Sequence, residues 1–335
     1  MNCRERFSFD EVEGNEGVKS NLLNAINAER ISHCYIFSGE KGLGKKLIAK
    51  CFAKALQCQE RDGAEACGEC APCKTFVSGN SPDVFFVSPQ HTKSIGVDDV
   101  REKINARMRT RPYSGRYKIF IVSAADKMTV AAQNALLRTI EEPASYGVFL
   151  LLCENHRLML PTVLSRCVIL KMRSVPKERA AARLSALTGA DCEKAALYSG
   201  YAVGNIGRAV TLMNDDEFSH MREAASLFAS GINDLDELGL FKAAAAFEPF
   251  KERAAEALDI FYLWFRDAAA FKQTGKQDIL INSDMADKIS SCAAQCSMTK
   301  ILRVCDSLLK AKRRLAQNAS FQMVIDAMLI SVIEA

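Results

Sequence analysis

The stretch Gly39-Glu40-Lys41-Gly42-Leu43-Gly44-Lys45-Lys46 has the spacing of a phosphate-binding loop, with a β-rich run, CYIFS, before it and a helical pattern, LIAKCFAKAL, after it. In that setting Gly39, Gly42 and Gly44 let backbone N–H groups converge on phosphate oxygens at a helix N-terminus, and Lys45 reaches the outer phosphates. A plain glycine-rich turn is the competing reading, and it leaves the strand–loop–helix context unexplained. The template ends in Ser or Thr, whose hydroxyl ligates Mg²⁺; here that position is Lys46, which cannot ligate a cation. The strand that would supply a metal-binding carboxylate and a water-activating one reads IFIV-Ser123-Ala124-Ala125-Asp126, so Ser123 and Ala124 replace both acids. Asp126 is expected to cap the helix that follows. With Lys46, Ser123 and Ala124 in these places nothing neutralises a developing γ-phosphate charge, which predicts a pocket without ATP hydrolysis. Gly39, Gly42, Gly44 and Lys45 leave a vestigial cradle for which ATP or ADP binding is expected to be weak or absent.

A second chemistry-bearing group is Cys58, Cys67, Cys70 and Cys73, spaced C-x₈-C-x₂-C-x₂-C with Gly68 and Pro72 inside the tight turns. Four thiolates at this spacing suit tetrahedral Zn²⁺, and a closed Cys₄ set leaves no position for a catalytic water, so the site is expected to be structural. An iron–sulfur cluster is the alternative occupant of the same ligands. The other nine of the 13 cysteines are scattered among apolar neighbours, where a free Cys behaves as a small buried hydrophobe. Cys292 and Cys296, one helical turn apart, are expected only to pack.

These groups need elements to hold them. The runs Cys34–Ser38, Val84–Ser88, Lys118–Ser123, Val148–Cys153 and Cys167–Met172 are nearly continuous in Val, Ile, Phe and Leu, the pattern of parallel strands covered on both faces. After Met172 strand signals vanish and the chain becomes Ala-rich, with apolar residues at helical spacing in EAASLFASGI and AAEALDIFYLWFRDAAAF. Turn-rich breaks at GYAVGN and near MNDDEF divide this half, so the expected fold class is α/β followed by all-α. At 335 residues the chain exceeds what one core usually holds. The expected division is 1–170 for the phosphate-loop domain with its inserted Cys₄ module (58–73), 171–214 for a small helical domain, and 215–335 for a helical bundle.

With 49% apolar and 25% charged residues the chain is built to fold, and a net charge of +4 does not by itself announce a nucleic-acid binder, so any DNA contact must come from local patches. Locally basic Arg107-Met108-Arg109-Thr110-Arg111-Pro112, with Arg116 and Lys118, is read as a solvated surface loop rather than a phosphate-facing one. The start, MNCRERFSFDEVEG, has no apolar signal region, and no stretch is apolar enough to span a membrane, so a cytoplasmic protein without membrane contact is expected.

The sequence resembles the bacterial clamp-loader AAA+ family over most of its first 214 residues. The resemblance is carried by FDEVEGNEGVKSNLLNAINAERISHCYIFSGEKGLGKK, by the Cys₄ module after the phosphate-loop helix, and by SIGVDDVREKI, YKIFIVSAADKMTVAAQNALLRTIEEPA and LPTVLSRC in the family's order. It implies an AAA+ P-loop module, a small helical lid and a C-terminal helical collar. It further implies a role in DNA replication within the DNA polymerase III holoenzyme, in a hetero-pentamer with gamma/tau and delta subunits that acts on the beta sliding clamp and primed DNA. Ser165-Arg166-Cys167 matches the family's SRC motif, which implies that Arg166 is an arginine finger entering a neighbouring subunit's ATP site. Cys153 and Glu154 depart from the polar sensor of the family's motors, and Arg208 in GNIGRA lies near a second sensor position, shifted by one.

An intact SRC motif beside a degraded pocket implies a stator without intrinsic ATPase. The alternatives are an active gamma/tau-type motor, against which Lys46, Ser123 and Ala124 speak, and an unrelated P-loop kinase, which leaves the SRC motif, the Cys₄ module and the helical tail unexplained.

Overall fold

The computed structural model describes residues 7–61, 63–89, 94–232, 243–245 and 247–333. All five expected strands form: β1 (Cys34–Ser38), β2 (Val84–Val87), β3 (Lys118–Val122), β4 (Gly147–Cys153) and β5 (Val168–Lys171). They build one parallel sheet in the order β2-β3-β4-β1-β5, with Tyr35 opposite Leu150 on one side and Val168 on the other. Side chains alternate between the faces as a strand requires. Tyr35, Phe37, Ile119, Ile121, Leu150 and Leu152 join a core with α1 (Glu16–Asn27) and α2 (Lys45–Gln57). Cys34, Ile36, Phe120, Val122, Phe149 and Leu151 join another. This second core includes Leu136 and Ile140 of a helix at Val130–Glu141. Both faces are therefore covered, which is why the strands read as unbroken apolar runs.

Backbone contacts divide the chain into two compact units. The first runs through Arg183 and also takes in the strip Gly204–Arg208; the second comprises Leu184–Val203 and Ala209 onward. In the second, a 21-residue helix (Ala254–Thr274) and a 19-residue helix (Met298–Ala316) carry an aromatic core in which Phe247, Phe261, Trp264 and Phe265 are fully buried. Buried Asp267 accepts hydrogen bonds from Ile281 N, Asn282 N and Asn282 Nδ2, and Arg222 reaches Asn282 Oδ1 and both oxygens of Asp284. Each of these buried charges is thus paired, as burial demands. No described helix is long and apolar enough to cross a membrane.

Two local expectations are corrected. The helix at Val130–Glu141 is capped by Thr129, whose side chain accepts from Ala132 N, and not by Asp126. Lys118 is not solvated: it is 4% exposed, and its Nζ donates to Arg107 O, Thr110 O and Thr110 Oγ1. Facing it, buried Asp83 accepts from Tyr113 N, Ser114 N and Gly115 N, so two buried charges pin a loop that looks merely basic in sequence.

Candidate functional site

The phosphate loop leaves the C-terminal end of β1, the edge where ligands bind in open parallel sheets. Gly44 caps α2 with φ +82°, and Lys45 and Lys46 occupy the first helical turn, which itself contains no acid. That turn is electropositive twice over, from its charges and from the helix dipole. Lys45 Nζ donates to two carbonyls of its own loop, Gly39 O at 2.5 Å and Glu40 O at 2.7 Å. Burial lowers the pKa of its ammonium, with the charges of Glu154 and Asp126 acting the other way. Lys46 points to solvent.

The strip Gly204–Arg208 closes on this loop, a contact absent from the sequence reading, which takes GYAVGN as a turn-rich break and places Arg208 near a second sensor position. Asn205, 1% exposed, donates Nδ2 to Lys41 O at 2.8 Å and accepts from Arg208 N at 3.1 Å, while Gly207 N donates to Gly42 O at 3.1 Å. A Cβ on Gly42 would lie 2.4 Å from Asn205 Oδ1, and one on Gly207 would lie 2.5 Å from Gly42 O. Gly42 is therefore required by packing as well as by its φ of +95°. Arg208 is exposed beside the same loop.

On the neighbouring strand ends, Ser123 N donates to Val87 O, and Ala124 takes a left-handed φ of +52°. Neither side chain carries a charge. Asp126 Oδ2 accepts from Glu154 N and Asn155 N, tying the turn after β3 to the loop after β4, and its buried Oδ1 has no hydrogen-bond partner among the described residues. Cys153 is buried with its Sγ toward Phe37 O, and burial pushes its thiol up to about 11. Ser38 Oγ lies 2.9 Å from His156 Nδ1.

The four cysteines converge. Cys58 ends α2, Cys70 caps a short helix at Ala71–Val77, and Cys73 lies in its first turn. Their Sγ atoms all lie within 4.8 Å of one another, with Cys58–Cys67 at 3.5 Å, Cys58–Cys70 at 3.9 Å and Cys67–Cys73 at 4.0 Å. A tetrahedron with metal–sulfur bonds of about 2.3 Å has sulfur–sulfur edges of about 3.8 Å, so the set fits a metal ion. Hydrogen bonds from Cys70 N and Glu69 N to Cys67 Sγ lower that thiol to about 7, the direction a ligand thiolate needs. By contrast, Cys292 and Cys296 are buried with Sγ atoms 4.0 Å apart and are not part of any group of metal-binding type among the described residues.

Arg166 stands exposed in the turn that leads into β5. Its guanidinium pairs with Glu141 at 3.0 Å and donates to Thr162 O at 3.0 Å and Ser165 Oγ at 3.2 Å. Both partners of the ion pair are more than 40% exposed, so the pair contributes less than about 1 kcal/mol and is cheaply exchanged. Arg166 thus lies at the N-terminal edge of the sheet, whereas the phosphate loop lies at the C-terminal edge. Sequence proximity to a motif does not reveal this separation; the parallel pairing of β1 with β5 does.

Comparison with known proteins identifies the family. Residues 14–176 match the family model described as DNA polymerase III, delta subunit, and residues 229–332 match that of DNA polymerase III, delta subunit, C terminal. The DNA polymerase III subunit delta' of Bacillus subtilis (strain 168) is 30% identical over 319 residues, covering 93% of this chain and 94% of that protein. The subunit delta' of Pseudomonas aeruginosa is 29% identical over 300 residues, covering 88% and 89%. The subunit tau of Bacillus subtilis (strain 168) is 34% identical over 184 residues, 55% of this chain but only 32% of that longer protein. The chain belongs to the DNA polymerase III delta' family.

Proposed function

We propose that the chain is the non-hydrolysing subunit of a DNA polymerase III clamp loader, a stator that lends Arg166 to the nucleotide site of a neighbouring ATPase subunit. The observation that carries this reading is the placement of two features at opposite ends of one sheet. The phosphate loop follows β1, and Arg166 precedes its parallel neighbour β5. A five-residue strand is about 16 Å long, beyond what an arginine side chain spans, so Arg166 does not reach the chain's own loop, which supports a role at a site on another molecule. There a planar guanidinium stabilises charge spread over γ-phosphate oxygens.

The chain's own pocket has Lys46 where Mg²⁺ needs a hydroxyl, and Ser123 and Ala124 where it needs carboxylates. The Asn205–Gly207 strip holds the loop's carbonyls from outside. These features support a site with no turnover and weak or absent nucleotide binding. Zn²⁺ is the proposed occupant of Cys58, Cys67, Cys70 and Cys73, where it would cross-link the end of α2 to the helix at Ala71–Val77. The partners in this reading are gamma/tau and delta subunits in a hetero-pentamer, acting in the cytoplasm on the beta sliding clamp and primed DNA. The working division remains 1–170, 171–214 as lid and 215–335 as collar. Exposed Met323, Ile330 and Ile333 on the last helix suit a bundle that meets other subunits.

ATP turnover by the purified chain tests the silent pocket. The expected rate is indistinguishable from a protein-free blank; turnover abolished by Lys45→Ala would overturn the reading in favour of an active motor.

A further inference from the structure

Cys34 opens β1 and Cys167 immediately precedes β5. The two strands are parallel neighbours, and their register pairs Tyr35 with Val168, so Cys34 and Cys167 face each other one step earlier. Both side chains pack into the same core, beside Ile36, Val163 and Ile169, and so lie on the same face of the sheet. Their Sγ atoms are 2.9 Å apart. Neighbouring strands lie about 4.8 Å apart, inside the roughly 4.4–6.8 Å Cα separation that a disulfide accepts. The pair is thus within reach of a disulfide.

The two thiols differ in access. Cys34 is 1% exposed, and burial, reinforced by its neighbour, raises its pKa well above the ordinary thiol value. Cys167 is half-buried and lies next to exposed Arg166. Cys167 is the more exposed residue of the pair and Cys34 the fully buried one, an order that suits Cys167 as the attacking thiol and Cys34 as the resolving one.

We propose that Cys34 and Cys167 form a peroxide-oxidisable dithiol, a modification site whose disulfide pins the Arg166 turn to β1. The Cys167 sulfur attacks one oxygen of hydrogen peroxide, breaking the O–O bond to give a sulfenic acid and one water. The Cys34 sulfur then attacks the sulfenic sulfur, and its proton leaves with the departing hydroxide as a second water. Two thiols lose two electrons, and the two peroxide oxygens gain them. The new bond extends the β1–β5 connection by one residue, to the position directly after Arg166. The effect on a partner's ATP site rests on the reading of Arg166 given above; the chemistry of the pair does not.

Metal-loaded full-length protein is treated with hydrogen peroxide, blocked with an alkylating reagent, digested without reductant and mapped by mass spectrometry. Released metal is followed with a colorimetric chelator, so that oxidation of Cys58, Cys67, Cys70 and Cys73 is seen separately. The expected product is a peptide pair joined through Cys34 and Cys167, lost on addition of dithiothreitol. Amide exchange at Arg166 to Val168 is expected to slow at least tenfold in the oxidised form. In Cys34→Ala, or in Cys34→Ser if alanine impairs folding, Cys167 should instead accumulate as sulfenic acid trapped by dimedone, at least fivefold above wild type. Two results would overturn the proposal: dimedone labelling of Cys167 that is equal in wild type and variant, or an unmodified Cys167 at peroxide levels that oxidise exposed Cys192. If the linked peptide forms but stimulation of partner ATPases is unchanged, the dithiol stands and the role of Arg166 is what fails.

Discussion

Two glycines of the phosphate loop separate its local from its tertiary demands. At Gly42 an added methyl group meets Asn205 Oδ1 at 2.4 Å and Arg208 N at 2.8 Å, on a backbone with φ +95°. At Gly44 it meets nothing within 4 Å, and only the φ of +82° opposes it. Gly42→Ala is therefore expected to cost about 3 kcal/mol and Gly44→Ala about 1 kcal/mol in urea denaturation. Equal losses would mean that the Gly204–Arg208 strip does not press on the loop. Asp83 is the other residue with a sharp expectation. Its buried carboxylate accepts three backbone N–H groups, so Asp83→Ala removes three charge-assisted hydrogen bonds at once and should cost about 3 kcal/mol by the same measurement. A loss under about 0.5 kcal/mol would show that the 107–118 loop is held by other means.

At the scale of elements, the Cys₄ module joins the end of α2 to the start of the helix at Ala71–Val77. Chelation of its metal is expected to open residues 58–78 to limited proteolysis while β1, β3 and β4 stay protected. An unchanged cleavage pattern after complete metal loss would exclude a structural role. In the second unit, Arg253 gathers Asp215, Glu217 and Glu256, and its guanidinium holds the Asp215 carboxyl below its ordinary value of 3.8. A depressed carboxyl stabilises the fold above its unfolded pKa and loses that contribution as pH falls through the folded value. Arg253→Met should therefore lower stability by about 1 kcal/mol at pH 7 and by less below pH 3, as followed by thermal unfolding.

The five strands were legible because burial on both faces leaves an unbroken apolar run, and the four cysteines because short spacing brings them together locally. What escaped depends on distant partners. Asp126 looks like a helix cap, yet it accepts N–H groups 28 and 29 residues away. Asn205 looks like a turn residue, yet it clamps a carbonyl 164 positions back. Lys118 reads as a surface charge because nothing in RTRPYSGRYK announces Asp83.

Across the whole molecule, the chain is read as keeping the frame of a nucleotide-binding subunit, with Lys46, Ser123 and Ala124 where the template has its metal-binding and water-activating groups. The phosphate loop retains its glycines and Lys45 at one edge of the sheet, and the one arginine whose motif points outward stands at the other. The chain belongs to the DNA polymerase III delta' family, and the stator role proposed above would account for both halves of this arrangement. The most direct test is DNA-stimulated ATP hydrolysis by the clamp loader reconstituted with gamma/tau and delta subunits, comparing wild type, Arg166→Ala and Lys45→Ala in complexes shown to be fully assembled. The account predicts a fall of at least about a hundredfold at the affected site for Arg166→Ala and wild-type rates for Lys45→Ala. Wild-type rates for Arg166→Ala together with a loss for Lys45→Ala would contradict it.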